Sequence, residues 1–299
     1  MSTGISCFIL LYSNHSNCVC MDTTIRYRRH ELSKERIQRI LLHNSHDITP
    51  INLQFMLRII TSLKYKNFDE RVSNAVLKRA IYLRDESLVR QVINLFEVDI
   101  SKVYLEYYDS ILHYTIVMST APILKLLVEQ LGDNVQDQLE INNYSLLIEA
   151  VTIGRKDIIQ YLLDVYERKC VDITYNDMIY MVLFWVIFSL CIDIHNSYQY
   201  KDILEFLITD KNADINHQYD NNLGGTALPV PVNGGTLVHM AVEMESTQVV
   251  KSLLKFRADC TVCNNDHKLP IDLLPNDTTK HDDIRSLLDQ APSKACMEL

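Results

Sequence analysis

One apolar phrase recurs along this chain at fixed offsets, and it constrains the fold more than any other feature. It reads Thr236-Leu237-Val238-His239-Met240-Ala241, then Val249-Val250, then Leu253-Leu254. Counted from His239, a small residue stands at +2, an aliphatic pair at +10 and +11, and a second pair at +14 and +15. From His113 the same places hold Thr115, Ile123-Leu124 and Leu127-Val128; from Ile148 they hold Ala150, Ile158-Ile159 and Leu162-Leu163; from Lys78 they hold Ala80, Leu88-Val89 and Val92-Ile93. Positions 78, 113 and 148 are 35 residues apart, and 239 to Asp272 is 33. A period of this length predicts a stack of helix pairs in which each unit packs on its neighbours. The two apolar pairs are three or four residues apart, so they form one stripe of a second helix. The residue at +2 is small because the paired helices approach closely there.

The phrase Gly235-Thr236-Leu237-Val238-His239-Met240-Ala241, closed by Ala258-Asp259 after the second helix, resembles the ankyrin repeat with its Thr-Pro-Leu-His-x-Ala signature. Ser110-Ile111-Leu112-His113 and Leu269-Pro270-Ile271-Asp272 are partial copies. The resemblance covers residues 70 to 290 and implies an all-α ankyrin-repeat solenoid, built of helix–turn–helix units with extended turns. It also implies a structural role for His113 and His239, each tying its helix to a neighbouring turn by hydrogen bonds. The chain departs from the family at its turns, where Gly is usual, because it has only 7 Gly in all.

Upstream, residues 31 to 44 carry an apolar face of Ile37, Ile40 and Leu41, and 51 to 64 carry Leu53, Met56, Leu57 and Ile60, started by Thr49 and Pro50. This pair is expected to cap the stack, since an end repeat needs its apolar face covered. The predicted organisation is a disordered segment 1–30, a helical cap 31–68, a solenoid 69–290 and a disordered tail 291–299. Met21 is an alternative start to Met1. At the C-terminus Cys296 holds the position of a prenylation signal, but Glu298 stands where an aliphatic residue belongs, which favours a plain tail. One unit breaks the rhythm. With Tyr180 in the key position, the second-helix pairs become Ile203-Leu204 and Leu207-Ile208, which predicts insertions near 191–200 and 217–234. Long connections of this kind are usually functional or disordered, and 217–233 is expected to be dispensable for folding.

Composition narrows the function. The formal charge of −9 argues against nucleic acid or an anionic membrane surface as a partner held by bulk charge. Eight Cys without a small-scaffold pattern point to free thiols in a reducing compartment, so a cytoplasmic setting is expected. Met178 to Ile192 is an almost unbroken apolar run of 15 residues, short of the roughly 20 a bilayer requires, and is expected to be a buried helix.

Candidate chemistry is sparse. Cys260-Thr261-Val262-Cys263 with His267 has a metal-like spacing but lacks a fourth ligand, so no metal is expected. Cys191, Asp193 and His195 stand together, but sequence neighbours rarely form a nucleophile–base pair. No Gly-rich phosphate loop is present. The sequence therefore predicts a monomeric scaffold, without catalysis or cofactor, that binds another protein through turn tips and first-helix faces. The candidate contact residues are Tyr107, Tyr108, Tyr144, Tyr175, Tyr219, Asp220 and Asn221 in connections, and Glu149 and Met240, which follow key positions on first helices. The alternatives are a membrane-associated protein using 178–192 and a secreted bacterial or viral effector that recruits a host protein.

Overall fold

The computed structural model describes residues 33–43, 48–103, 110–134, 145–169, 175–192, 197–220, 222–223, 226–227, 233–275 and 281–291. The expected disordered termini, 1–30 and nearly all of 291–299, lie outside this set. The chain divides into two compact units between Asp99 and Ile100.

Among its described residues the first unit holds four helices, α1 (Lys34–His43), α2 (Pro50–Leu63), α3 (Glu70–Tyr82) and α4 (Glu86–Phe96). Each start is set by local chemistry. Thr49 accepts a hydrogen bond from the Asn52 N–H and Pro50 fills the first position, which needs no donor. Asp69 and Asp85 cap α3 and α4 through the N–H groups of Arg71 and Leu88. Helix α1 packs on α3, and α2 on α4. Ile37, Leu41, Leu53, Met56, Leu57 and Ile60 are buried, as their spacing predicts. The Arg79 Nε donates to the Ile48 carbonyl at 2.8 Å and ties α3 to the chain just before α2. The four helices belong to one compact unit.

The second unit stacks helix pairs. They are α5 (Ile111–Met118) with α6 (Ala121–Leu131), α7 (Ser145–Thr152) with α8 (Lys156–Lys169), α9 (Tyr175–Ile192) with α10 (Ser197–Thr209), and α11 (Leu237–Glu243) with α12 (Thr247–Lys255). The last repeat begins with only a 3-10 turn, Pro270–Leu273, followed by α13 (Asp282–Asp289). First helices line up as α5 on α7, α7 on α9, α9 on α11 and α11 on the 3-10 turn. Second helices follow as α6 on α8 and α8 on α10, with α12 on α13. The apolar offsets build this core. Ile123, Leu124, Leu127, Ile158, Ile159, Leu162, Leu163, Val249, Val250 and Leu253 are all nearly inaccessible. Leu254 alone among those offsets is half-buried.

The scarcity of Gly changes residues, not backbone. Arg84, Glu97, Glu245 and Arg257 adopt φ of 57, 50, 53 and 62° just after helices, where Gly would be free of strain. Gly154, at φ 75°, serves the α7–α8 turn.

Helix α9 has 18 residues, against 8, 8 and 7 for α5, α7 and α11. Its extra length touches α7, α8, α10, α11 and α12, which is why its sequence is apolar all round. Among the described residues no helix is long and apolar enough to cross a membrane. Residues 191–192 end α9 and 197–200 begin α10, so both helices extend into the expected first insertion.

The second insertion is anchored at its base. The Tyr219 N–H donates to the Gly235 carbonyl at 2.8 Å, and the Gly234 N–H donates to the Tyr219 carbonyl at 2.9 Å. Between them β1 (Asn222–Leu223) pairs antiparallel with β2 (Thr226–Ala227). Gly234 has φ +73°, and a Cβ there would collide with the Asn265 side chain. The expectation that all of 217–233 is dispensable is corrected here, because the Tyr219 side chain is fully buried.

Candidate protein-binding face

The key residues of two units bond forward to the chain that follows. The His113 Nδ1 lies 3.0 Å from the Ser110 hydroxyl, and its Nε2 lies 2.7 Å from the Ser145 hydroxyl of the next first helix. For His239, the Thr236 backbone N–H donates to Nδ1 at 3.0 Å, and Nε2 lies 3.1 Å from the Lys268 carbonyl. An acceptor at Nδ1 and a donor at Nε2 define a neutral imidazole. His239 thus fills the reciprocal position of a capping box usually held by Glu or Gln. Burial pushes its pKa below the ordinary His value, against the opposing pull of the Lys268 carbonyl. Replacing it by Leu leaves the Thr236 N–H and Lys268 carbonyl without their partner. His239→Leu is therefore expected to lower stability by about 2 kcal/mol, read by urea unfolding.

In the irregular unit the key position is Tyr180. Burial and the nearby Asp214 carboxylate push its phenol pKa above the ordinary Tyr value. The imidazole of His217 lies flat on the Tyr180 ring, with centroids 3.6 Å apart and planes at 7°. Tyr219 stands edge-on to His217 at 4.8 Å, and Phe184 lies below Tyr219 at 5.5 Å. Asp177, in the first turn of α9, and Asp214 and Asp220, in the connection, act electrostatically on His217. Asp214 and Asp220 are exposed, while Asp177, Tyr180 and His217 are half-buried. This edge is an acidic, partly aromatic surface outside the apolar offsets that build the stack.

Residues 233–265, which hold Thr236, His239, α11 and α12, match the ankyrin repeat family model. The chain thus carries an ankyrin repeat at 233–265. Ankyrin repeats as a class mediate protein–protein interaction. No curated protein matches this chain. Among solved structures it is similar to the crystal structure of the human ASB11 ankyrin repeat domain, at 15% identity over 84% of this chain and 96% of that one, with a TM-score of 0.42.

The sequence-derived contact residues fare unequally in this stack. Tyr107, Tyr108, Tyr144 and Asn221 lie outside the described residues. Tyr175 begins α9. Glu149 is half-buried on α7 and Asp220 is exposed. Met240 and Tyr219 are fully buried, which corrects the expectation that either offers surface to a partner. Met240 is enclosed because Leu237 through Val242 are all buried in the short α11, between α9 and the 3-10 turn. Tyr180, His217, Asp177 and Asp214 were missed. The available signal was Tyr180 itself, a large polar aromatic where His113 and His239 stand in other units.

The remaining chemical candidates are quiet. Burial pushes the Cys191 thiol up to about 12, the reverse of an activated nucleophile, and Asp193 and His195 lie outside the described residues. The Cys260 thiol is pushed up to about 11, mainly by burial. Among the described residues no group of three or more His, Cys, Asp or Glu is disposed to hold a metal ion. A cleft of about 240 Å³ lies between α10 and α12, floored by Leu190 and Val249. It is smaller than the roughly 300–1,000 Å³ typical of small-molecule sites.

Proposed function

We propose that this protein is a non-catalytic scaffold that binds a partner protein through the α9 edge of its second unit. The binding face comprises Tyr180, His217, Asp177, Asp214 and Asp220, with Glu149 on α7, Tyr175 at the start of α9, and Tyr107, Tyr108, Tyr144 and Asn221 in the connections as further contacts. One observation carries this reading. A half-buried aromatic pair and exposed carboxylates stand together outside the apolar offsets that build the stack. Partly buried aromatic groups are the side chains that commonly dominate interface affinity.

Charge indicates the partner's character. Residues 100–299 carry 28 Asp and Glu against 15 Lys and Arg, whereas residues 1–99 carry 10 against 14. An acidic face of this kind favours and steers a basic partner surface. The proposed setting is the cytoplasm, which fits the three described cysteines, Cys191, Cys260 and Cys263, all free of disulfides.

The test is the Asp177→Asn, Asp220→Asn double variant of the full chain, used as bait beside the wild type. Capture of the partner is expected to weaken by about 1–2 kcal/mol, and the remaining binding should depend less on salt. The melting temperature should stay within a few degrees. Undiminished capture would place the interface elsewhere.

A further inference from the structure

His217 occupies the middle of a pile of rings that holds one segment of chain against α9. Ala213–Asp220 leaves the end of α10 and runs along α9, and ring contacts from His217 and Tyr219 hold it there. The His217 imidazole covers the Tyr180 face at 3.6 Å. The Tyr219 ring, completely buried, meets the His217 ring at 87° and the Tyr180 ring at 86°. Only past this point does the backbone reach the bridge between Tyr219 and Gly235. The imidazole thus touches both the half-buried Tyr180 ring and the buried Tyr219 anchor.

A neutral imidazole fits this place, because it needs little water and stacks at van der Waals distance. A charged imidazolium demands hydration that a half-buried, ring-covered site restricts. The charged and titratable groups facing it are Asp177 and Tyr180 from α9, and Asp214, Tyr219 and Asp220 from its own segment. The three carboxylates favour the charged form, but burial outweighs them and holds the pKa below the ordinary His value.

We propose that His217 is an acid-released clasp: the neutral ring pins Ala213–Asp220 to α9, and its protonation loosens that segment. The sign follows from linkage. A His whose pKa is lower folded than unfolded contributes its full stabilisation above the unfolded value of about 6.5. That contribution is lost as pH falls from there through the depressed folded value. The inference stands on the ring geometry and does not depend on which partner the face binds.

Hydrogen exchange of the full chain at pH 7.5 and 5.5, corrected for intrinsic chemical exchange, reads the clasp directly. The Tyr219 and Gly234 amides, which close the base of the loop, should exchange several-fold faster at the lower pH in the wild type. In His217→Phe, whose ring stacks but carries no charge, their protection should be the same at both values. His239, also neutral and buried, would loosen α11 in both proteins and so separates from the clasp. Unchanged wild-type protection, or a pH response that survives in His217→Phe, overturns the proposal. Should the Phe variant lose protection at both pH values, nuclear magnetic resonance titration of the wild-type imidazole decides. A midpoint below about 6.5 supports the clasp, and one at or above it refutes it.

Discussion

Phe184→Ala is expected to lower stability by about 3–5 kcal/mol. Phe184 is completely buried near the middle of α9 and packs on the Tyr219 ring at 5.5 Å. Helix α9 meets five other helices of its unit, so the vacated volume has little freedom to collapse. The loss should spread to the neighbouring repeats, because stability in a stack is shared between adjacent units. Trp185, the chain's one Trp, sits beside the substitution and reports it by fluorescence during urea unfolding. A loss under about 1 kcal/mol would mean that α9 is not the buried centre of the unit.

Tyr219 separates the value of a ring from that of its hydroxyl. The ring is buried among Tyr180, Phe184 and His217, and among the described residues its hydroxyl has no hydrogen-bond partner. Tyr219→Ala should therefore cost about 3–5 kcal/mol. Tyr219→Phe should be neutral or stabilising by up to about 1 kcal/mol, since it removes a buried polar atom that gains nothing. Paired thermal or urea unfolding curves check both. A Phe variant destabilised as much as the Ala variant would show that the hydroxyl, and not the ring, is what matters. The same logic sets the limits of loop replacement. A linker for 217–233 removes Tyr219 and is expected to be damaging, whereas one confined to 221–232 spares it.

The stack was legible in the sequence because its physics is local and periodic. The offsets from Lys78, His113, Ile148 and His239 name buried positions with one exception, Leu254. The bonding roles of His113 and His239 were also legible, since both stand at the same offset and both reach the chain ahead. The candidate face was harder to read. Tyr219 has the composition of an exposed loop residue, and only the approach of Gly235 and α9 encloses it. Met240 follows a key position just as Glu149 does, yet Glu149 is half-buried and Met240 fully so. Leu237 through Val242 are all buried in α11, an all-round enclosure that no periodicity within one helix encodes. The Tyr180–His217 stack joins residues 37 positions apart across an irregular connection, so no repeat rule could anticipate it.

The most direct test of the account is a footprint. Hydrogen exchange of the full chain, free and with its captured partner bound, would map where the partner sits. The account predicts new protection in the first turns of α9 and in Ala213–Asp220, with the outer faces of α6 and α8 unchanged. Protection confined to those outer helices, with α9 and Ala213–Asp220 exchanging as in the free protein, would contradict it.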